Sequence, residues 1–570
     1  KKINGKTMYS FSCNPDLSID LESILHELDE QGTPVSIVGE VNIRLPFMHN
    51  HAMFPPDRLD MIVDEHKGGY ELFGVPNSAI TPADHMIGFN ASALIKDGGT
   101  LQVGIGSLGS ALVYSTILRH SQNAVYQQLF NELELADKFP VVSEIGGTEE
   151  FSKGLYGCSE MMVDGFLHLY QAGILTREVF DDLQLQELIN AGKIGCEVSV
   201  AMLDQLVAAG IVNDKLRAKD VDYLKRYGIL AKTTDYQGGA LVVAGHSVAA
   251  RISDPDTRSV LANKGMGQKL AGGIVMHGGF FLGPDSFYEM LRNFSDDEHQ
   301  KFCMTSVNFI NDLFDHKFGR QDLKEAHRQE ARFINSTMMA TLGGAAISDG
   351  LANGKVVSGV GGQYNFVAMA HEIADARSIL KLKSTRQSGG KTVSNILNSY
   401  GHITIPRHLR DIYITEYGVA DLLGLPDCDV YIEMLKITDS RFQDQLLDEA
   451  KRNGKVPSDF RLPEKYRHNT PERIQGIVQK YQRQGHFNAF PFGCDFTEDE
   501  LTLGKALKSL KAKTSTRPGL FKSVVRALAS RHLPAKVRPL LERMQLENPQ
   551  SFRAKLEQKM LVNELIEQMS

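Results

Sequence analysis

TLQVGIGSLGSALVYSTIL, residues 100–118, is the stretch whose reading decides the fold. Its first six residues, 100–105, carry Leu101, Val103 and Ile105 and read as a strand, one of a set of Val- and Ile-rich runs, mostly continuous rather than alternating, that suit strands covered on both faces. Glycines follow at 104 and 106. Leu108, Ala111, Leu112, Ser115 and Leu118 then recur at the period of a helix. Strand, glycine turn and helix in that order form the unit of an α/β protein with a mostly parallel sheet. KVVSGVGGQYNFVAMAHEI, from Lys355, has the same form, with Phe366, Met369, Ala370 and Ile373 on one helical face. The echo is too short to count as a repeat.

Outward from these two units, Val- and Ile-rich runs predict strands at 34–41, 100–105, 355–360, 378–383, 411–415 and 429–432. The charged stretch 176–246 reads as helix-rich. Polar loops punctuate the chain from Ala450. After Thr516, Lys and Arg alternate with Leu, Val and Met, which predicts amphipathic helices. A docked helical extension is the simpler reading of that tail; a membrane-surface or partner helix is the alternative.

The bulk numbers set the class. A chain of 570 residues is worth roughly three to four domain-sized units. Net charge is −7 and the isoelectric point is near 6.2, which argues against nucleic acid as a partner. Six cysteines lie scattered without a CxxC pair, as free thiols in a reducing cytoplasm do, and predict no metal site. No apolar run approaches the roughly 20 residues that span a bilayer, and the polar start Lys1-Lys2-Ile3-Asn4-Gly5 has no signal-peptide pattern. The chain opens on lysine rather than methionine, as a fragment or a trimmed chain would.

Several motifs carry chemistry. Gly104, Gly106 and Gly109 spell GxGxxG between a strand and a helix, the local context of a dinucleotide loop. The acidic residue such a loop requires about 20 positions on would fall in QNAVYQQLFNELELADKF, which reads as helical. NAD is therefore not expected, and the loop is read as serving another anion or an oxyanion. SGGKT at 388–392 resembles the end of a Walker A loop, but Thr385 stands where the first glycine belongs. A basic cluster remains, Arg377, Lys381, Lys383, Arg386 and Lys391, read either as a solvated strand end or as a site for a phosphorylated ligand. His49 and His51, and His402 and His408, read as loop histidines without a metal. On residues alone Glu160, among small and apolar neighbours, suits a helix start better than a partly dry pocket.

Four segments together resemble the acetyl-CoA hydrolase/transferase family, relatives of 4-hydroxybutyrate and succinyl-CoA:acetate CoA-transferases. They are VGEVNIRLPFM from Val38, LQVGIGSLGSAL from Leu101, the segment around Glu160, and VGGQYNFVAMA with ITIPRHLRDIYITEYGVADL. Their order matches the family's, and the later FQDQLLDEAKRNGKVPSDF and NAFPFGCDFTEDELTLGKAL look like its extended bacterial members. The resemblance implies an α/β fold of CoA-transferase-like lobes plus a helical C-terminal extension. A partial first lobe is expected at 1–85, a second lobe with the catalytic glutamate and helical insertions at 86–430, and the extension at 431–570. By the same resemblance the first lobe is expected to begin partway, and 114–151 and 176–331 are longer than the family's pattern.

The resemblance also implies function. Glu160 falls where the family places its nucleophile. Gly104, Gly106, Gly361, Gly362 and Gln363 are expected to contact the oxyanion or coenzyme A, and Lys383, Arg386 and Lys391 its phosphates. Asn365 stands where relatives commonly carry an acidic residue. Glu416 and Tyr417 match a motif read as structural support. The implied activity is CoA transfer between an acyl-CoA and a small carboxylate, in the cytoplasm, with no metal, and in a homo-oligomer by analogy. Acyl-CoA hydrolysis by the same glutamate is the near alternative; an NAD-linked oxidoreductase and a non-catalytic CoA-binding or scaffold protein are remoter ones.

Overall fold

The computed structural model describes residues 1–64, 69–315, 320–530 and 533–569. Its centre is one eight-stranded sheet. In chain order the strands are β1 (Thr100–Val103), β2 (Tyr156–Met162), β3 (Met276–Phe281), β4 (Phe302–Met304), β5 (Arg332–Ser336), β6 (Arg377–Lys381), β7 (Ile412–Thr415) and β8 (Gly418–Asp421). They lie in the order β4-β3-β2-β1-β5-β6-β7-β8. Every neighbouring pair is parallel except the hairpin β7–β8. The chain winds outward from β1 through β4, then returns to the other side of β1 as β5. This reversal opens a crevice at the carboxyl ends of β1 and β5, where open α/β sheets take their ligands.

Both faces of the sheet are covered. Helices α1 (Pro82–Ser92) and α2 (Ser107–Ser121) pack on one face, and Thr81 and Asp84 cap α1 reciprocally. Helix α3 (Gln363–Ala370) belongs to a second cluster in which Phe366 and Met369 meet Tyr156, Cys158 and Phe333. Phe333 and its neighbour Ile334 fall in different clusters, as the alternation of a strand requires.

Two predicted strands are not strands. Residues 355–360 make only an isolated bridge, Gly350 to Val356, and that stretch is exposed rather than sandwiched. Residues 429–432 lie inside a helix, Asp427–Lys436. Its buried Val430, Met434 and Leu435 recur at helical spacing, and a short Val/Ile run does not separate the two periods. The run 34–41 keeps three strand residues, Val38–Glu40, paired with Met61–Val63. Before residue 82, among the described residues, the strands pair in two-stranded patches apart from the eight-stranded sheet. The expected divisions after residues 85 and 430 fall inside helices.

The stretch after Thr176 has a core of its own and an internal repeat. Leu185-Leu188-Gly192-Ile194 recurs as Leu203-Leu206-Gly210-Val212 and as Val221-Leu224-Gly228-Leu230, each copy 18 residues after the last. The helices Leu183–Asn190, Val200–Ala208 and Ala218–Arg226 carry these copies. The three glycines stand at φ +66°, +73° and +65°, the left-handed position just past a helix end that favours glycine. After each one the chain turns back, and the next amide donates to the Leu188, Leu206 or Leu224 carbonyl. Three antiparallel strands, Asp235–Gln237, Ala240–Val243 and His246–Ala249, complete this unit.

The tail is helical, as predicted. Glu498–Thr514, Arg517–Ala529, Arg538–Arg543 and Phe552–Met569 are its helices, and Leu503, Leu540, Leu541 and Leu565 form its small core.

Lys381, at the end of β6, is buried with no hydrogen-bond partner for its ammonium in the protein. Burial pushes its pKa down to about 7, against the pull of Asp84. The unfolded chain therefore binds a proton that the folded one has lost, from about pH 7 up to the ordinary lysine value. Stability rises with pH across that window, and the full cost of the buried ammonium is felt below it. Lys381→Met should raise the unfolding free energy near neutral pH by on the order of 2 kcal/mol. Guanidinium unfolding of the variant should also lack the wild type's upward slope above about pH 7. Equal slopes in both proteins would refute this reading of Lys381.

Candidate active site

Glu160 lies on β2, two residues beyond the buried Cys158. The helix-start position favoured on residues alone is thus corrected: this glutamate lies in the carboxyl half of a central strand. The carboxyl ends of β1 and β2 are adjacent. Thr100 pairs with Tyr156 and Leu101 with Gly157, and the Ser159 hydroxyl donates to the Val103 carbonyl at 3.3 Å. Continued by one step, the register brings Gly104 beside Glu160.

Two elements from the other half of the sequence close on the carboxylate. The Asn311 amide, at the end of the short helix Val307–Asn311, donates to Glu160 Oε2 at 2.5 Å. The Gly361–Gly362 backbone lies against the same group. A methyl on Gly361 would stand 3.3 Å from Oε1, and one on Gly362 would stand 2.2 Å from Oε2. Gly361 is also at φ +55°, so glycine is required there both for conformation and for close approach. Gly362 caps α3, and the buried Gln363 donates to the Ser336 carbonyl at 2.9 Å. Gln102 donates to Asn335 at 3.3 Å. One polar atom on each of Gln102, Asn311, Asn335 and Gln363 is buried without a partner, which leaves the crevice with amide groups still to be satisfied.

Gly104 and Gly106 face open space, with nothing within 4 Å of where a side chain would begin, and Gly106 caps α2 at φ +103°. Two helix N-termini, those of α2 and α3, therefore open at the carboxyl edge of the sheet. Backbone N–H groups at helix N-termini suit an anion or a developing oxyanion.

The basic cluster is dispersed. Lys383 pairs with Asp84 at 2.9 Å. Arg386 donates to the Ser394 carbonyl and to Asn395 at 3.2 and 2.6 Å. Arg377 is held by Asp411 and Asp421 at 2.6 and 2.5 Å. Lys391 is exposed on a hairpin of Thr385–Ser388 and Lys391–Ser394. SGGKT forms that hairpin's turn, Gly389 and Gly390 having φ +57° and +77°, and opens no helix. Nearby, burial raises the Glu416 carboxyl to about 7 although it accepts the Ser384 amide at 2.8 Å. The Tyr417 hydroxyl donates to Asp439 at 2.8 Å. Both bonds tie strand ends to neighbouring segments.

The remaining candidates lie elsewhere. The segment after α2 is helical, Asn123–Glu132 and Leu135–Lys138. His49 stacks on His299 with ring centres 5.5 Å apart, His51 meets the Thr305 hydroxyl at 2.9 Å, and His402 meets Asp349 at 2.9 Å. Among the described residues no group of three or more His, Cys, Asp or Glu could hold a metal ion, and no helix is long and apolar enough to cross a membrane. Asn311 was not anticipated. It lies 151 positions from Glu160 in a segment with no glycine signal, and only the topology reveals it.

Comparison with known proteins agrees with the motifs. Residues 283–450 match the model of the acetyl-CoA hydrolase/transferase C-terminal domain. Asn311 and Gly361–Gln363 fall inside the match; Glu160 and the Gly104–Gly106 loop precede it. The chain is 31% identical over 122 residues to the probable butyrate:acetyl-CoA coenzyme A-transferase of Syntrophomonas wolfei, covering 21% of this chain and 27% of that protein. It is 30% identical over 120 residues to the 4-hydroxybutyrate coenzyme A transferase of Clostridium kluyveri, covering 21% and 28%. It is 26% identical over 180 residues to the succinyl-CoA:cyclohexane-1-carboxylate CoA transferase of Geobacter metallireducens, covering 31% and 37%. The chain thus spans between 27% and 37% of the length of these relatives. Among solved structures, RipA from Yersinia pestis superposes with a TM-score of 0.47 at 18% identity, over 79% of this chain and 68% of that one.

Proposed function

We propose that the protein is an acyl-CoA:carboxylate CoA-transferase that works through a covalent glutamyl-CoA thioester on Glu160. One observation carries this reading: the Glu160 carboxylate, at the sheet's switch-point crevice, is held by the Asn311 amide and overlaid by the Gly361–Gly362 backbone. The amide orients Oε2 and leaves Oε1 to attack. A carboxylate fixed in this way meets the geometric demand on a nucleophile.

The steps follow from carboxylate chemistry. Glu160 attacks the thioester carbonyl of acyl-CoA, the C–S bond breaks, and CoA leaves as thiolate from a mixed anhydride. The thiolate then attacks the glutamyl carbonyl, the anhydride C–O bond breaks, and the donor acid departs as carboxylate. An acceptor carboxylate attacks the resulting glutamyl-CoA thioester, and the same steps run in reverse give a new acyl-CoA and free Glu160. Each tetrahedral intermediate places an oxyanion near the N–H groups of Gly104–Ser107 and Gly361–Gln363, which would stabilise it. Lys391, exposed on its hairpin, is the remaining candidate for the phosphates of CoA, since Lys383 and Arg386 already have protein partners. Water in place of the acceptor acid would make the same glutamate a hydrolase.

Intact-protein mass spectrometry after incubation with acetyl-CoA, followed by peptide mapping, tests the proposal. The expected result is a CoA thioester on the peptide containing Glu160, discharged by added acetate with formation of acetyl-CoA. Discharge by water at an unchanged rate, with or without acid, would favour hydrolysis. Turnover with no adduct would overturn the covalent route.

A further inference from the structure

Two helices far apart in sequence expose apolar stripes of matching pitch and opposite charge. Helix Pro15–Glu30 presents Leu17, Leu21, Ile24 and Leu28, with Leu17 64% and Ile24 52% exposed. It carries six acidic residues and no lysine or arginine. Helix Arg517–Ala529 presents Phe521, Val525 and Leu528, with Phe521 72% and Leu528 54% exposed. It carries Arg517, Lys522 and Arg526 and no acid. Each stripe steps by four and three residues, the spacing of a two-helix seam. Contiguous exposed apolar surface of this kind marks an interaction site.

Each helix is tied to its own part of the molecule with the stripe left outward. Asp20 accepts from Ser306 and Asn308 at 2.5 and 3.1 Å, and Arg526 pairs with Glu567 at 2.9 Å. Beside the acidic helix lies a groove of about 700 Å³, lined by Leu21, Leu25, Val38, Leu45, Phe47 and Ile62. That is room for large side chains such as Phe521. An amphipathic helix laid in an apolar groove is a recurring mode of recognition.

We propose that helix Arg517–Ala529 of one copy docks on helix Pro15–Glu30 and the adjoining groove of a second copy of this chain. The charge match selects that occupant. The basic stripe alone would also suit an anionic membrane, but only a partner that carries the acidic stripe satisfies both faces together. In a two-fold pair each contact occurs twice and the assembly closes.

Sedimentation velocity on the full chain across a wide concentration range tests this. Wild type should self-associate, and more weakly at high salt. Arg517→Glu with Lys522→Glu should weaken association about tenfold or more, as should Glu27→Lys with Asp29→Lys. Mixing the two doubly reversed proteins should restore it through the contact in which both charges are reversed. Phe521→Ser should weaken association without changing the circular dichroism. A protein that stays monomeric at every concentration, or an association that the reversals leave unmoved, would overturn the proposal. So would a monomer that binds vesicles of anionic lipid through Lys522, which would place the helix on a membrane instead.

Discussion

Glu160→Gln is expected to lower turnover of acetyl-CoA with a carboxylate acceptor by about 10³-fold or more, while thermal unfolding stays where it is in the wild type. Glutamine has the same shape, and its side-chain oxygen can still accept from the Asn311 amide that now reaches Oε2. What it lacks is the charged oxygen that attacks a thioester, so shape and packing are held constant while the nucleophile is removed. The variant should also carry no CoA adduct by mass spectrometry. A Glu160→Gln protein that kept most of its activity would remove this residue from the chemistry altogether. The crevice amides around Gln102 and Gln363 would then need another explanation.

Gly362→Ala should be nearly as damaging, for a purely spatial reason. The added methyl would stand 2.2 Å from Glu160 Oε2 and 2.9 Å from Asn311 Nδ2. Neither atom can yield without breaking the bond between them, so the carboxylate must turn away from its position. Displacing a nucleophile by about 1 Å is worth on the order of 10²-fold in rate, and kcat/KM should fall by that amount. Gly195→Ala, outside the site, is the control, because nothing lies within 4 Å of its added methyl; it should leave kcat/KM unchanged. Full activity in Gly362→Ala would show that the loop moves off Glu160 before the reaction.

The fold class was legible where the chain obeys local rules. The 100–118 stretch announced its strand, turn and helix because a short strand-like run, a glycine turn and a helical period follow one another there. The runs 355–360, with three valines, and 429–432, with Val430 and Ile432, also read as strands, and their fates as loop and helix depend on what packs around them. Local composition carries no record of that. The site was legible in part. The glycine loops have local signatures, whereas Glu160 has none of its own and was singled out by the resemblance alone. The bond from Asn311 depends on β2 and the helix after β4 meeting at one edge, a property of strand order. The basic residues show the same limit: a sequence displays lysines and arginines but not the aspartates beside them, as Asp84 stands beside Lys383.

The helical unit between β2 and β3 leaves and rejoins the rest of the structure at a single place. The Val179 and Ile274 backbones exchange both hydrogen bonds at 2.9 Å, so the excursion begins and ends within one bond's width. An ancestral gene could acquire or shed this cassette in one event, with no strand of the sheet re-threaded. Inside it, units of identical 18-residue length are the natural product of tandem duplication. Lineages of this protein should therefore differ by whole helix-and-turn units in this region, while the spacing between Glu160 and Gly173, upstream of the cassette, stays constant.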